Sequence, residues 1–180
     1  MKLTKKTRIL ILALSSLSAI TLMAMNVFYH DIKKHTVEIQ DKSPLFPYTD
    51  YDYMTTEETF YNIDGKLDSI PAFFRTDFAS IPKLFWFVEA PYKASFVYAA
   101  IWHDYYYTCP GKIPRKDIDD VFYHLLREQG NSMLSSLKMY IAVRIFGYFK
   151  FSENLSCHDL LIQQESDELF YREENPDGKF

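Results

Sequence analysis

The stretch Ala99 to Cys109, AAIWHDYYYTC, sets His103 beside Asp104 inside an otherwise apolar and aromatic run. A buried carboxylate without partners costs several kcal/mol, so the pair must be matched by other polar groups or bound to a cation. A histidine whose second ring nitrogen is held by a carboxylate is a competent general base. Carboxylates joined by backbone carbonyls form a hard oxygen set that suits Ca2+ better than Zn2+. With one histidine in the run, a structural zinc site is not expected.

The partners of His103 can be sought on a helical wheel. In the stretch after Pro114, Ile118, Val121, Phe122, Leu125 and Leu126 make one apolar stripe that faces the core. Asp119 sits at the edge of that stripe, beside Phe122 and Leu126. Asp120 points away from it and Asp117 lies well to its side, so Asp119 is the aspartate placed to reach inward. Around His103 the same-face neighbours are Phe96, Ala99, Ala100 and Tyr107. Two alanines leave a recess beside the imidazole, and Tyr107, four residues on, can lend a hydroxyl. Two antiparallel helices joined by a short break would bring Asp119 against His103. Asp77, in the loop segment RTDFAS, is a further ligand candidate because loops supply groups to sites held by helices.

The elements that must carry these residues are legible as patterns. Residues 95–108 predict a core helix, apolar nearly all round. After the break GKIP a second helix begins near Pro114 and ends at Gly130. A third spans 132–149 with Leu134, Leu137, Tyr140, Ile141, Val143 and Phe146. Upstream, EETFYNIDGKLDSIP predicts a β-hairpin about Asp64-Gly65. The expected class is therefore α+β and mainly helical: an N-terminal transmembrane helix, a short hairpin, then about three core helices. The domain reading assigns 1–30 to the anchor, 31–55 to a linker, 56–151 to the His-Asp domain and 152–180 to an acidic tail with one exposed helix.

Residues 9–29 contain no charge and follow Lys2, Lys5, Lys6 and Arg8. A run of about 20 apolar residues can cross a bilayer, and the basic flank keeps the N-terminus cytoplasmic. The expectation is an uncleaved signal anchor with the rest of the chain exported, periplasmic or extracellular. The net charge of −4 argues against a nucleic-acid partner, which would call for a basic stripe. Cys109 and Cys157 do not make a disulfide scaffold, although they could pair in an oxidising compartment.

The ordered motifs TDFASIPKLFW, AAIWHDYYY, DIDDVF and MYIAVRIFG resemble the family of domain of unknown function 1353 over about residues 64–149. That family, found in phages, prophages and bacterial genomes, implies no particular activity. More loosely, TDFAS followed by AAIWHDYYY and then DDVF is similar to secreted phospholipase A2 enzymes, the prokaryotic ones especially. That likeness implies His103 as general base for a water, Asp119 as the carboxylate orienting it and Tyr107 as hydrogen-bonding support. It implies Asp104 and Asp77 as ligands of a Ca2+ cofactor, and a phospholipid ester as substrate. Phe78 and Ala79 depart from the Gly and Cys of those enzymes, and Ala99 and Ala100 stand in place of cysteines. Two functions compete: a membrane-anchored, calcium-dependent lipid-ester hydrolase, and a non-enzymatic phage-derived domain that binds an envelope or assembly component through a structurally satisfied His-Asp network.

Overall fold

The computed structural model describes residues 18–19, 21–49, 52–77, 94–109, 111, 113–151 and 157–176. Its chain divides into two compact units, Met1–Ile32 and Lys33–Phe180. In the first, a helix over 21–31 (α1) leaves Leu22, Met23 and Val27 exposed. Among the described residues no helix is long and apolar enough to cross a membrane. Part of the span expected over 9–29 falls outside them, since residues 9–17 and 20 are not described.

The second unit is α+β. One three-stranded antiparallel sheet has the order β1 (Val37–Asp41), β4 (Thr59–Ile63), β5 (Lys66–Ile70). A smaller one has the order β2 (Leu45–Pro47), β3 (Tyr53–Thr55), β6 (Arg75–Thr76). The predicted hairpin is β4–β5, closed by the Ile63–Lys66 pair. Asp64 and Gly65 both adopt positive φ, 54° and 78°, the conformation that a two-residue turn needs to follow the strand twist. Residues 31–55, read as a linker, instead contribute β1, β2 and β3. These short strands are specified by long-range pairing: Ile39 lies opposite Tyr61, and Met54 opposite Arg75. Nothing local marks β2 or β3, whereas β1 alternates apolar and polar residues from Val37 to Gln40.

Four helices of this unit follow: α2 (Val97–Thr108), α3 (Arg115–Glu128), α4 (Met133–Phe146) and α5 (Cys157–Glu174), with a 3-10 turn over Gly147–Phe149 after α4. Helix α2 is central, burying Ala99, Ala100, Ile101, Trp102, His103 and Tyr107. Tyr61 of β4 donates its hydroxyl to the Tyr98 carbonyl at 2.7 Å, tying the larger sheet to α2. The expected punctuation is present. Pro114 precedes α3, Gly130 follows it with φ 84°, and Ser132 caps α4 by accepting from the Ser135 N–H at 3.2 Å.

Helix α5 is less free than an exposed tail helix would be. It buries Leu160, Gln164 and Asp167, and its aromatic rings meet the second sheet edge-on, Phe46 with Tyr171 and Tyr48 with Phe170. A disulfide joins Cys109, at the end of α2, to Cys157, at the start of α5, with Cα atoms 5.2 Å apart. It closes a sequence separation of 48 residues. On the chain-entropy account, a loop of that size is worth about 4 kcal/mol, and measured values are commonly lower, about 2–4 kcal/mol. Reduction with dithiothreitol should therefore lower the urea unfolding free energy by roughly 2–4 kcal/mol. The Cys109→Ser, Cys157→Ser double variant should show the same loss and no further response to the reductant.

Candidate functional site

The site begins with two neighbouring helices and one carboxylate. Helix α3 turns Asp119 fully inward, at 0% exposure, and α2 presents His103, 1% exposed, to meet it. His103 Nε2 lies 3.0 Å from Asp119 Oδ1. A carboxylate only accepts, so Nε2 carries the hydrogen and donates. Tyr107, one helical turn beyond His103, donates its hydroxyl to the same oxygen at 2.6 Å. The other oxygen, Oδ2, accepts from Arg144 of α4 at 2.9 Å and lies 3.8 Å from Arg115 of α3. The imidazole is flanked by the rings of Tyr107 and Phe122, with centroids 3.9 and 4.5 Å away. Position and tautomer of His103 are thus held from three helices.

Tyr107 reaches Asp119 past a close approach of backbone. A Cβ added at Gly147 would meet the Tyr107 hydroxyl, and would lie 2.9 Å from its Cε1. Glycine is required there by space, since its φ is an ordinary −62°. Arg115 has a second task. Its guanidinium donates to the carbonyls of Val143 and Arg144, both at 3.2 Å, closing the C-terminal end of α4 beside the site.

Asp104 is buried next to the imidazole. Its Oδ2 accepts from the Thr76 hydroxyl at 2.6 Å, which links β6 to α2. Its Oδ1 lies 3.9 Å from His103 Nδ1, beyond hydrogen-bond distance, and both atoms are buried with no hydrogen-bond partner. Asp77, directly after β6, is exposed. So His103, Asp119, Tyr107 and Asp104 come together, and among these predicted residues Asp77 is the one left at the surface.

Of the calcium ligands implied by the phospholipase likeness, Asp104 is buried beside His103 and Asp77 is exposed. Calcium takes six to eight oxygens. Asp104 Oδ1 is one open carboxylate oxygen, and no group of three or more His, Cys, Asp or Glu among the described residues could hold a metal ion. Phe78 and Ala79, the departures from the calcium loop, fall in residues 78–93, outside the described residues.

Asp120 corrects the wheel. Expected to point outward, it is 0% exposed and fully engaged. Its Oδ1 accepts from the Tyr140 hydroxyl at 2.9 Å, and its Oδ2 from Lys116 Nζ at 2.8 Å and the Lys33 N–H at 3.2 Å. The wheel assumed one buried face; α3 is covered on two, because α4 and the segment before β1 pack on either side. Asp117 stays half-buried, 3.8 Å from Lys33 Nζ. Arg144 and Arg115 were not anticipated. A signal existed: several acids near one buried histidine demand cations, and Arg144 interrupts the apolar run from Met139 to Phe146.

These contacts move the titrations. Burial disfavours the His103 imidazolium, but the Asp104 and Asp119 carboxylates outweigh it and raise the pKa above the usual histidine value. Burial likewise opposes ionisation of Asp119, and hydrogen bonds from His103, Tyr107 and Arg144 overcome it and lower the pKa. Burial first, and then the Asp119 charge, push the Tyr107 hydroxyl far upward, so it remains a donor.

Comparison with known proteins finds a family model described as "Protein of unknown function (DUF1353)", matching residues 53–143. No curated protein and no solved structure matches the chain. The likeness to secreted phospholipase A2 enzymes therefore finds no support beyond its motif residues.

A pH profile of stability follows from the two shifts. The raised His103 pKa contributes stability that is complete below its unfolded value, about 6.5, and is lost as pH rises through the native value. The lowered Asp119 pKa contributes above its unfolded value, about 3.9, and is lost as pH falls through the native one. Urea midpoints should be highest between about pH 4.5 and 6.5 and decline on both sides. In His103→Gln the alkaline decline should flatten. An unchanged alkaline limb in that variant would mean that His103 is not the group responsible.

Proposed function

This chain belongs to the DUF1353 family, and we propose that its buried His-Asp network serves a hydrolase that turns water against lipid esters. One observation carries the reading. His103 Nδ1 and Asp104 Oδ1, 3.9 Å apart, are two buried acceptors with nothing to accept from. Such atoms are costly to leave unmade, and the smallest molecule that donates to both is water. A water about 2.8 Å from each would satisfy the pair.

The chemistry then follows from the tautomer. Neutral His103, with Nε2–H spent on Asp119, takes a proton from that water at Nδ1 while the water oxygen bonds to an ester carbonyl carbon. The imidazolium so formed is stabilised by Asp119, itself held by Tyr107 and Arg144. His103 then returns the proton to the leaving alkoxide as the ester C–O bond breaks. Asp104 aims the water. No step is routed through a metal. The base must be neutral, so turnover should rise with pH across the range in which the raised His103 pKa is crossed.

Lipid esters fit the location we propose, a domain exported on a signal anchor over 9–29 with the membrane as its partner. The Cys109–Cys157 disulfide suits an oxidising compartment, and Leu22, Met23 and Val27 give α1 an exposed apolar surface. A second reading is a non-enzymatic envelope-binding or assembly domain of phage ancestry, and the 1% exposure of His103 favours it.

Hydrolysis of phospholipid vesicles by the full-length protein separates the two. General-base catalysis is worth about 10²–10⁴ in rate, so His103→Gln should lose at least a hundredfold while remaining folded. Absence of turnover by the unaltered protein on phospholipid and simple ester substrates would leave the binding-domain reading. Location is tested by a reporter fused after Phe180 that is active only when exported. Activity from a cytoplasm-dependent reporter at the same position would overturn the anchor and its orientation together.

A further inference from the structure

Helix α4 is apolar on the side it turns to solvent, where a surface helix is ordinarily polar. Its inner side, with Tyr140 and Val143, is buried against the rest of the domain. On the outer side Leu134, Lys138, Ile141 and Ile145 recur at helical spacing and form one stripe. Leu134 and Ile145 are 53% and 50% exposed, and Tyr148, just beyond the helix, is 72% exposed. Lys138 and Ile141 between them are half-buried. A continuous apolar stripe facing water marks a surface that something covers.

Charge says what covers it. Between Glu128 and Glu153 the chain has no acidic residue, while Lys138, Arg144 and Lys150 fall in that interval. Arg144 is committed to Asp119. Lys138 lies within the stripe and Lys150 is exposed just after it, and the salt bridges among the described residues use neither. The chain as a whole carries 24 acids against 20 Lys and Arg, so its charge outside this interval is net negative. Exposed leucines elsewhere sit beside acids, as Leu67 does beside Asp68 on β5. Apolar side chains interleaved with cations suit a helix that lies in a bilayer interface and meets anionic headgroups. Two-fold pairing of the same face with a second copy would instead bring like cations together.

We propose that α4 docks this stripe on an anionic phospholipid surface. Leu134, Ile141 and Ile145 enter the boundary between headgroups and acyl chains, and Lys138 and Lys150 meet lipid phosphates. The docking surface rests on the membrane location given above and is independent of ester hydrolysis.

The test uses the full-length protein with its disulfide intact, reconstituted in vesicles of diether lipids that no esterase can cleave. One set is equimolar phosphatidylglycerol and phosphatidylcholine analogues, the other the phosphatidylcholine analogue alone. A nitroxide on Ile145→Cys reports depth through its collisions with oxygen, which enters lipid, and with a nickel chelate, which stays in water. The same label on Leu67→Cys controls for tethering by the N-terminal segment. The oxygen-to-nickel collision ratio should rise severalfold at Ile145 on the anionic vesicles and keep its aqueous value at Leu67. A lysine near an anionic surface is worth about fivefold in binding, so Lys138→Gln with Lys150→Gln should return the Ile145 label to its value on phosphatidylcholine. Thermal unfolding confirms that each variant is folded, and Leu134→Cys takes the label if Ile145→Cys is not. The proposal is overturned by a water-exposed label on the anionic vesicles, by an equal rise on phosphatidylcholine or at Leu67, or by a rise that the lysine variant keeps. Dipolar broadening between labels would overturn it too, by showing that a second copy covers the stripe.

Discussion

Asp119 loses all contact with solvent, and an ionised carboxylate in that position costs several kcal/mol unless each oxygen is met by a donor. The donors come from everywhere at once. His103 and Tyr107 arrive from α2 and Arg144 from α4, and the Arg115 guanidinium on the acid's own helix adds its charge 3.8 Å away. None can move without leaving a buried charge exposed to an apolar interior. The relative placement of α2, α3 and α4 is therefore constrained by electrostatics as well as by packing of Phe122, Leu125 and Leu126.

Asp120 extends the constraint to the other flank of α3. Tyr140 binds it from α4, while the Lys33 backbone binds it from the segment that leads into β1. Two consecutive acids on one helix point about 100° apart, so burying both requires cover on two sides. The cations that compensate them, Arg144, Arg115 and Lys116, keep part of their side chains in solvent. Placing the cations at the rim lets them neutralise the acids without full desolvation of both partners.

Helix α2 gathers most of the buried polar contacts because it is covered on nearly every side. Its adjacent positions look toward different neighbours: Trp102 and Tyr106 toward Asp68 of β5, His103 and Tyr107 toward Asp119 of α3, Asp104 toward Thr76 of β6. Asp68 orients Trp102 and Tyr106 and Asp119 orients His103 and Tyr107, while Asp104 takes the Thr76 hydroxyl. Gly147 belongs to this arrangement although it carries no side chain, because it leaves the space that Tyr107 fills.

What the sequence determined by itself is local. Asp64-Gly65 fits positive φ and so makes the hairpin wherever the chain lies; Ser132 supplies a capping oxygen and Gly130 a left-handed residue for reasons confined to one helical turn. Helical periodicity also placed Asp119 toward His103, since Asp119 edges the apolar stripe of α3 and only a short break separates α3 from α2. Tertiary structure decided the rest. Strands β2 and β3 exist because distant partners complete their ladders, and no period-2 pattern announces them, whereas β1 alternates from Val37 to Gln40. The inward turn of Asp120, the exposure of Asp77, the choice of Arg144 as counter-charge and the meeting of Cys109 with Cys157 depend on which elements pack together. Periodicity reports one buried face of one element. It holds no information about a second covering layer, and charge pairing is settled only when that layer is in place.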